Sequence, residues 1–378
     1  MVRRAGGLAA VSIGLLATAF LGLQSLGTDL FVDSGQRLGN EASWGVVLGD
    51  VDADGDLDAV VANIDTGAIV WLNDGTGHFT DSGQRLAVGP YVAMADLDRD
   101  GALDLVFGSF DQPVTVWWND GRGRFARGEA DLAPVGCLCL ATGDLTGDGR
   151  PDLFVGNREA DLVLFNMGNR VFTDSGQRLG FAATGGAAMG DMDGDGDLDV
   201  VAAGWDEPGH VWQNDGTGRL TSLCTLATTS LHVHGVVLAD YEGDGDLDAF
   251  FALAGGICCR NVWLNFGRGT LTPATFSLGL PNDQGIAVAD FNQDGRLDAA
   301  MAVGSADPAP STVWLGREDG YADTGLRIGT TFAGGVAAGD LDGDGDLDLF
   351  FTFLAMAVPS YVDNPYPNEV WLNTTIQR

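Results

Sequence analysis

Asp50-Val51-Asp52-Ala53-Asp54-Gly55-Asp56-Leu57-Asp58 places carboxylates at the first, third, fifth, seventh and ninth of nine positions, around a glycine at the sixth. Alternate side chains of a tightly curved loop converge on one point, and hard cations such as Ca²⁺ take six to eight oxygens at about 2.3 to 2.6 Å. The pattern reopens at Asp96, Asp144, Asp191, Asp240, Asp290 and Asp340, at spacings of 46, 48, 47, 49, 50 and 50 residues. Seven near-equal units span almost everything beyond the N-terminal segment, so the repeat decides the architecture.

Each unit has the same order of parts. A run of small and apolar residues (Gly45 to Gly49, Gly285 to Ala289) leads into the loop, and a continuous apolar run follows it (Ala59 to Ala62, Leu105 to Phe107, Leu349 to Phe353). Short apolar runs bounded by turn signals read as strands buried on both faces. Val-Trp-Leu-Asn comes next, as at Val70 to Asn73, then an Asn-Asp-Gly turn and a fourth strand such as Phe79 to Leu86. Four antiparallel strands per repeat of about 40 to 50 residues describe a propeller blade. The fold class is therefore all-β, a seven-bladed β-propeller.

The two ends predict a closed ring. Phe31-Val-Asp-Ser-Gly-Gln-Arg-Leu38 repeats the fourth strand found at Phe79 to Leu86 and Phe172 to Leu179, yet it precedes any first strand. The last unit stops after its third strand, Val370 to Asn373. The N-terminal segment is expected to supply the missing strand, removing two exposed edges at once. An open β-solenoid would need no such exchange.

The loops are assigned as cation cages. Position 1 is Asp50, Asp96, Asp144, Asp191, Asp240, Asp290 and Asp340, and position 3 is Asp52, Asp98, Thr146, Asp193, Glu242, Asn292 and Asp342. Position 5 is Asp54, Asp100, Asp148, Asp195, Asp244, Asp294 and Asp344, and position 9 is Asp58, Asp104, Asp152, Asp199, Asp248, Asp298 and Asp348. Position 7 varies (Asp56, Ala102, Arg150, Asp197, Asp246, Arg296, Asp346), so its carbonyl rather than its side chain is the expected ligand. Position 2 is always apolar and anchors the loop. Seven solvated turns are the alternative, but carboxylates this close repel one another without a cation. These loops hold 30 of the 53 acidic residues, and seven Ca²⁺ would bring the net charge from -34 to about -20. Loop 3, with Thr146 and Pro151, departs most and should bind most weakly. An EF-hand shares positions 1, 3, 5 and 6 but requires a bidentate Glu at position 12. Here that position is apolar in all seven loops, as at Val61 and Phe351.

From about residue 30 to 376 the chain resembles FG-GAP or VCBS repeat proteins, such as the integrin α-subunit propeller and certain secreted fungal lectin propellers. The resemblance implies Ca²⁺ between the first two strands of each blade, on the lower face. It says little of a partner, because such propellers host adhesion, lectin and lyase functions alike.

Composition bounds the rest. With 19 basic residues against 53 acidic ones and no long basic stretch, general nucleic-acid binding is excluded. At 45% hydrophobic and 19% charged, the chain is not disordered either. Arg3 and Arg4, the apolar run from Leu8 to Leu23, and Ala17-Thr18-Ala19 form the three parts of a secretory signal. About the first 25 residues are read as that signal, and 26–378 as one propeller domain with no membrane span. The expected location is secreted, cell-surface or periplasmic.

Residues outside the repeat are where a private function belongs. Six Trp (Trp71, Trp117, Trp212, Trp263, Trp314, Trp371) recur in the third strand and read as packing; Trp44 and Trp205 do not recur. Both fall on connections at the face opposite the acidic loops. Blade 7 carries an insertion, Val358 to Asn368, whose Tyr361, Asp363 and Tyr366 could join Trp44 and Trp205 in a platform for a sugar or peptide. A Pro-stiffened covering loop explains the same insertion. His210, His232 and His234, with Cys137, Cys139, Cys258 and Cys259, raise a soft-metal site whose spacing matches no zinc pattern. Two functions follow: an exported, non-catalytic module binding a glycan or a surface protein, or a polysaccharide lyase or hydrolase using Arg158 or Arg260 with His232 or His234. The first is the reading adopted.

Overall fold

The computed structural model of the protein describes residues 30–180, 183–205, 208–226, 232–254, 261–279, 282–304, 309–329, 332–354 and 367–375. It contains seven four-stranded antiparallel sheets, each in simple up-and-down order, arranged as the blades of one ring. No helix occurs among the described residues, so none is long and apolar enough to cross a membrane.

The second strand of each blade (Asp58–Asn63 in blade 1, Asp348–Phe353 in blade 7) is buried from end to end, except for the half-buried Ala254 that ends Asp248–Ala254 in blade 5. It lies between the inner and third strands of its own sheet and is covered on both faces by the neighbouring blades. That environment selects an unbroken apolar run over an alternating one. Fourth strands such as Phe79–Val88 alternate, because only their inward face is covered.

The apolar core is divided among seams. Seven clusters of buried side chains each bridge one pair of adjacent blades. One joins Val51 and Val60 to Leu105 and Phe107; another joins Trp71 and Phe79 of blade 1 to Leu341 and Phe350 of blade 7. Seven seams for seven blades leave no open edge.

Closure follows the predicted route. Phe31–Asp33 pairs antiparallel with Glu369–Asn373, in the register Phe31 with Asn373 and Asp33 with Trp371. Leu38 bridges to Asn368, and the Phe31 ring meets Phe291 edge-on at 5.5 Å.

The inner strands run from the upper face toward the acidic loops. In six blades their upper ends carry a register shift, as between Thr184 and Gly186 or Asp283 and Gly285; blade 2 pairs without one. Glycines at these ends permit the crowding of strands at the axis. A methyl on Gly334 would lie 2.5 Å from the Ser43 carbonyl oxygen, and one on Gly335 2.7 Å from that of Trp44.

Candidate metal centres and the opposite mouth of the ring

Every acidic loop joins the first strand of its blade to the second, so all seven crowd one face. The ninth residue is its keystone. Asp58 is fully buried; its Oδ2 accepts from the Val51 N–H at 3.0 Å and its Oδ1 from the Asn73 N–H at 2.9 Å. The same pair of bonds recurs at Asp104, Asp152, Asp199, Asp248, Asp298 and Asp348. Burial pushes these carboxyls up, to about 6 at Asp58, Asp104 and Asp199 and to about 7 at Asp298 and Asp348, against the N–H donors that pull them down. In loops 1, 2, 4 and 7 each of these oxygens accepts one N–H and keeps a lone pair for a cation, whereas Oδ2 of Asp152 and of Asp298 accepts a second N–H, from Thr146 and Asn292.

Two left-handed residues bend the loop. Position 6 is glycine throughout, with φ of 100° at Gly55 and 96° at Gly196. Position 4 is left-handed too, including Ala53, Arg99 and Gln293 at 63°, 64° and 57°. These turns bring side chains together in four loops: Asp50, Asp52 and Asp58; Asp96, Asp98 and Asp104; Asp191, Asp193 and Asp199; Asp340, Asp342 and Asp344. In each group one oxygen per residue lies within 4.8 Å of the others. Charges so placed repel by about 1 kcal/mol per pair even at the dielectric constant of water.

The donor set fits a hard divalent ion. Asp50 Oδ1, Asp52 Oδ1, Asp193 Oδ1 and Asp344 Oδ2 are buried and accept no hydrogen bond. Burial, then the neighbouring carboxylates, raise Asp52 and Asp342 above the ordinary carboxylate range. Position 5 enters its cluster only in loop 7. In all seven loops its Oδ1 accepts the N–H of position 7, as from Asp56 to Asp54 at 3.0 Å and from Arg296 to Asp294 at 3.0 Å. Asp56, Asp197 and Asp246 point away to their own hairpin turns, against Gly75, Gly216 and Gly267, where a methyl would strike the carboxylate.

The remaining loops hold internal substitutes for a cation. In loop 3 the Arg150 guanidinium pairs with Asp148, and its Nε donates to the Asn166 carbonyl at 2.8 Å. Asn292 Nδ2 donates to Asp294 at 3.3 Å in loop 6. Glu242 of loop 5 shares a hydrogen bond with Asp248, and burial with that neighbour's charge raises it. Loop 2 keeps its cluster, though Arg170 from blade 3 donates to Asp98 at 2.7 Å.

The upper face is different in kind. Inner strands of all seven blades line an axial cavity of about 280 Å³, with Trp44, Tyr91, Cys139, His234 and Gln284 toward the mouth and Val46, Val92, Leu140, Ile286 and Val336 deeper. No Asp, Glu, Lys or Arg lines it among the described residues. Above it runs an arc of rings. Trp44 of blade 1 lies 6.0 Å from His234 of blade 5, and Trp205 of blade 4 lies 5.6 Å from the same imidazole. Phe332 extends the arc from Trp44, and Phe110 with Tyr91 from Trp205. Arg158 caps Phe110 at 5.2 Å. Burial, then His232, pull the His234 imidazole down to about 4, so it is neutral near pH 7.

The two predicted tryptophans thus come together. Tyr361, Asp363, Tyr366, Cys258, Cys259 and Arg260 lie outside the described residues. The soft-metal grouping is not assembled among those described: His210 stacks on Trp212 at 4.9 Å, and burial pushes the Cys137 thiol up to about 12 and raises Cys139 well above the ordinary thiol range. The only clusters of three or more converging His, Cys, Asp or Glu among the described residues are the four in the loops. Sequence reasoning missed Tyr91, Phe110, Phe332 and Gln284. Their signal was positional, since Tyr91 and Gln284 open inner strands as Trp44 does, and Phe110 follows a second strand as Trp205 does.

Comparison with known proteins bears on this architecture. No curated protein matches the chain. Among solved structures it is similar to the BP39L lectin from Burkholderia pseudomallei (13% identity, TM-score 0.64, covering 89% of this chain and 96% of that one). It is also similar to BBS1N in its complex with ARL6DN (12%, 0.61, 91% and 97%). A third is an Agrocybe aegerita lectin described as recognising non-reducing terminal N-acetylglucosamine (18%, 0.53, 83% and 86%). At such identities the likeness is one of fold. Four overlapping stretches, 50–107, 96–155, 144–202 and 191–251, match the FG-GAP-like repeat, each running from one acidic loop through the next. With over half its length so matched and the same loop closing the remaining blades, the chain belongs to the FG-GAP repeat family.

Proposed function

We propose that the protein is an exported, calcium-stabilised propeller that recognises a glycan without turning it over, through the mouth of the ring that bears Trp44 and Trp205. The observation that carries this is the meeting of two tryptophans from distant blades on one neutral imidazole. Rings held in that way present apolar faces at little entropic cost and stack on the C–H faces of sugars. Two of the similar structures are lectins, which supports a sugar over a surface protein as the ligand. Tyr361, Asp363 and Tyr366 belong to the connection in blade 7 that corresponds to the one carrying Trp205 in blade 4, and they are assigned to the same platform. A lyase or hydrolase would need a placed acid and base or a cation against the substrate carboxylate; of the groups named for that reading, His234 lines the cavity and Arg158 caps Phe110 beside its mouth, and turnover is the outcome that would favour it.

Calcium is assigned to carboxylates at positions 1, 3, 5 and 9 and to the position-7 carbonyl, as at Ala102 and Arg296. Its role is to neutralise converging charge so that the ring closes. Loops 1, 2, 4 and 7 fill first, because their oxygens already converge. Removing calcium with a chelator should lower the melting temperature by many degrees, since a ligand bound only by the folded state stabilises it by about 2.7 kcal/mol per site at a hundredfold excess over Kd. An unchanged melting temperature in a protein shown metal-free by elemental analysis sinks the calcium assignment. A glycan array followed by Trp44→Ala tests recognition, with at least a tenfold weaker Kd expected for the variant. Turnover of any bound glycan overturns the non-catalytic reading. N-terminal sequencing of the mature protein should begin near residue 26.

A further inference from the structure

We propose that Arg170 is a tethered counter-ion of loop 2, holding Asp98 so that this cage is the last of the four converged ones to take a divalent cation and the seam between blades 2 and 3 depends least on that cation. This rests on the calcium reading above and assigns one cage a charge built into the chain. Arg170 stands four residues beyond Asn166, in the turn joining Asp161–Asn166 to Phe172–Leu179. The same place holds Gly77, Gly123, Gly218 and Gly269 in blades 1, 2, 4 and 5, all left-handed, with φ of 71°, 67°, 79° and 64°. Arg170 adopts φ 63° there, beside a left-handed Asn169. Glycine would relieve that strain, so an arginine kept in it points to a use for its side chain.

What the turn touches sets the use. A methyl on Gly77 would lie 3.5 Å from Asp342 Cβ, one on Gly123 3.2 Å from Asp52 Cβ, and one on Gly218 3.1 Å from Thr146 Cγ2. Each of those is the third residue of the acidic loop in the preceding blade. Arg170 meets the same residue of loop 2: its Nε donates to Asp98 Oδ2 at 2.7 Å, and its Nη2 lies 2.6 Å from that oxygen. Asp98 Oδ1 accepts the Asp100 N–H at 3.2 Å, so both oxygens have donors. Asp52 and Asp193, the third residues of loops 1 and 4, each keep a buried oxygen with none. Of the four converged clusters, that of loop 2 alone is paired with a guanidinium among the described residues.

Two further departures fall at this seam. Trp118 stands where blade 1 has Leu72, and its ring holds the Arg170 guanidinium carbon 4.8 Å from its centre. Blade 2 has Ala130 where blade 1 has Gln84, the amide that donates to the Gly123 carbonyl of the next blade. A guanidinium fixed by stacking and an ion pair leaves a cation less charge to neutralise and repels the one that enters.

The test strips metal from the full chain and counts terbium bound at rising free concentration by equilibrium dialysis, for wild type, Arg170→Gly and Arg170→Asn. Glycine restores what four other blades carry, and asparagine removes the charge while tolerating the left-handed backbone. The fourth ion should bind about tenfold more tightly to both variants than to wild type. Calcium should also raise the melting temperature further in each variant than in wild type, a comparison in which backbone strain cancels because it is present with and without the ion. Equal affinity for the fourth ion, or an equal rise in melting temperature, overturns the counter-ion role. A gain with glycine but not with asparagine belongs to the backbone and overturns it too. A wild type that binds neither terbium nor calcium overturns the calcium reading itself, and the counter-ion role with it.

Discussion

Asp161 of blade 3 stands outside the acidic loops and is as buried as any of their keystones. It accepts from the Asn157 N–H at 3.0 Å and from the Thr184 hydroxyl at 2.9 Å, beside the buried Cys139 thiol. Burial outweighs these bonds and raises its carboxyl to about 7 from 3.8. A carboxyl raised on folding contributes stability that is complete below the unfolded value and lost as pH climbs through the folded one. That difference amounts to at most about 4 kcal/mol. Asp161→Asn should therefore gain stability relative to wild type between pH 4.5 and 7.5, read by chemical denaturation with saturating calcium. A constant difference between the two proteins across that range would rule it out. At the loop turn, Gly196→Ala meets no atom within 4 Å yet is held at φ 96°, so it should cost about 1 kcal/mol from backbone strain alone in the same measurement. The strict glycine at position 6 was legible as a sharp turn. Left-handed position 4 was not, because Ala53, Arg99 and Gln293 occupy it in three loops and dilute the glycine signal.

Elements in this ring are fastened to the next blade by amides. Gln84, near the end of Phe79–Val88, donates to the Gly123 carbonyl at 2.6 Å and accepts the Phe125 N–H at 3.0 Å, both in blade 2. Gln36 and Gln177 make the same clasp, which explains why Asp-Ser-Gly-Gln-Arg-Leu recurs. The third-strand Asn works in the other direction: Asn119 Nδ2 donates to the Val51 carbonyl of blade 1 at 2.8 Å, and Asn166, Asn214, Asn265, Asn373 and Asn73 repeat it. Blade 6 has Gly316 there, where a Cβ would collide with the Leu297 carbonyl, and Tyr241 reaches across to the Arg317 carbonyl instead. Gln84→Ala should destabilise by about 1 to 3 kcal/mol, since two partners lose their bonds. Arg85→Ala, next to it in sequence, breaks the solvent-washed pair with Asp81 and an exposed bond to the Gln84 carbonyl and should cost under about 1 kcal/mol. Equal losses in thermal unfolding would contradict the clasp. Val-Trp-Leu-Asn was readable as a buried strand because its apolar run is local. What its Asn does was hidden, because the acceptor lies 68 to 82 residues away in five blades and 268 away for Asn73.

The whole molecule separates its charges by face: carboxylates gather on one side of the ring and uncharged rings on the other. Blade number and closure were legible because the Phe31 segment copies a fourth strand and the last unit lacks one. The mouth was legible only in Trp44 and Trp205. Which rings meet there depends on the width of the axis, a distance that no local pattern encodes. Deleting residues 1–38 should strip the outer edge of Glu369–Asn373 and remove Phe31, which is 2% exposed. Loss of a buried Phe alone costs about 3 to 5 kcal/mol, and the bared edge invites self-association. A lower melting temperature with larger species in light scattering is the expected result; a monomer of wild-type stability would refute closure by this strand.

Pairing of Phe31 with Asn373 also orders events in time. The strand Phe31–Asp33 has no mate until Glu369–Asn373 has been synthesised, so blades 1 to 6 can stack in sequence while the seventh waits. Joining ends so far apart in the chain is the step with the greatest loop-closure entropy. Refolding should therefore show early burial of the mid-chain seams and a final, slower phase reported by the environment of Trp371.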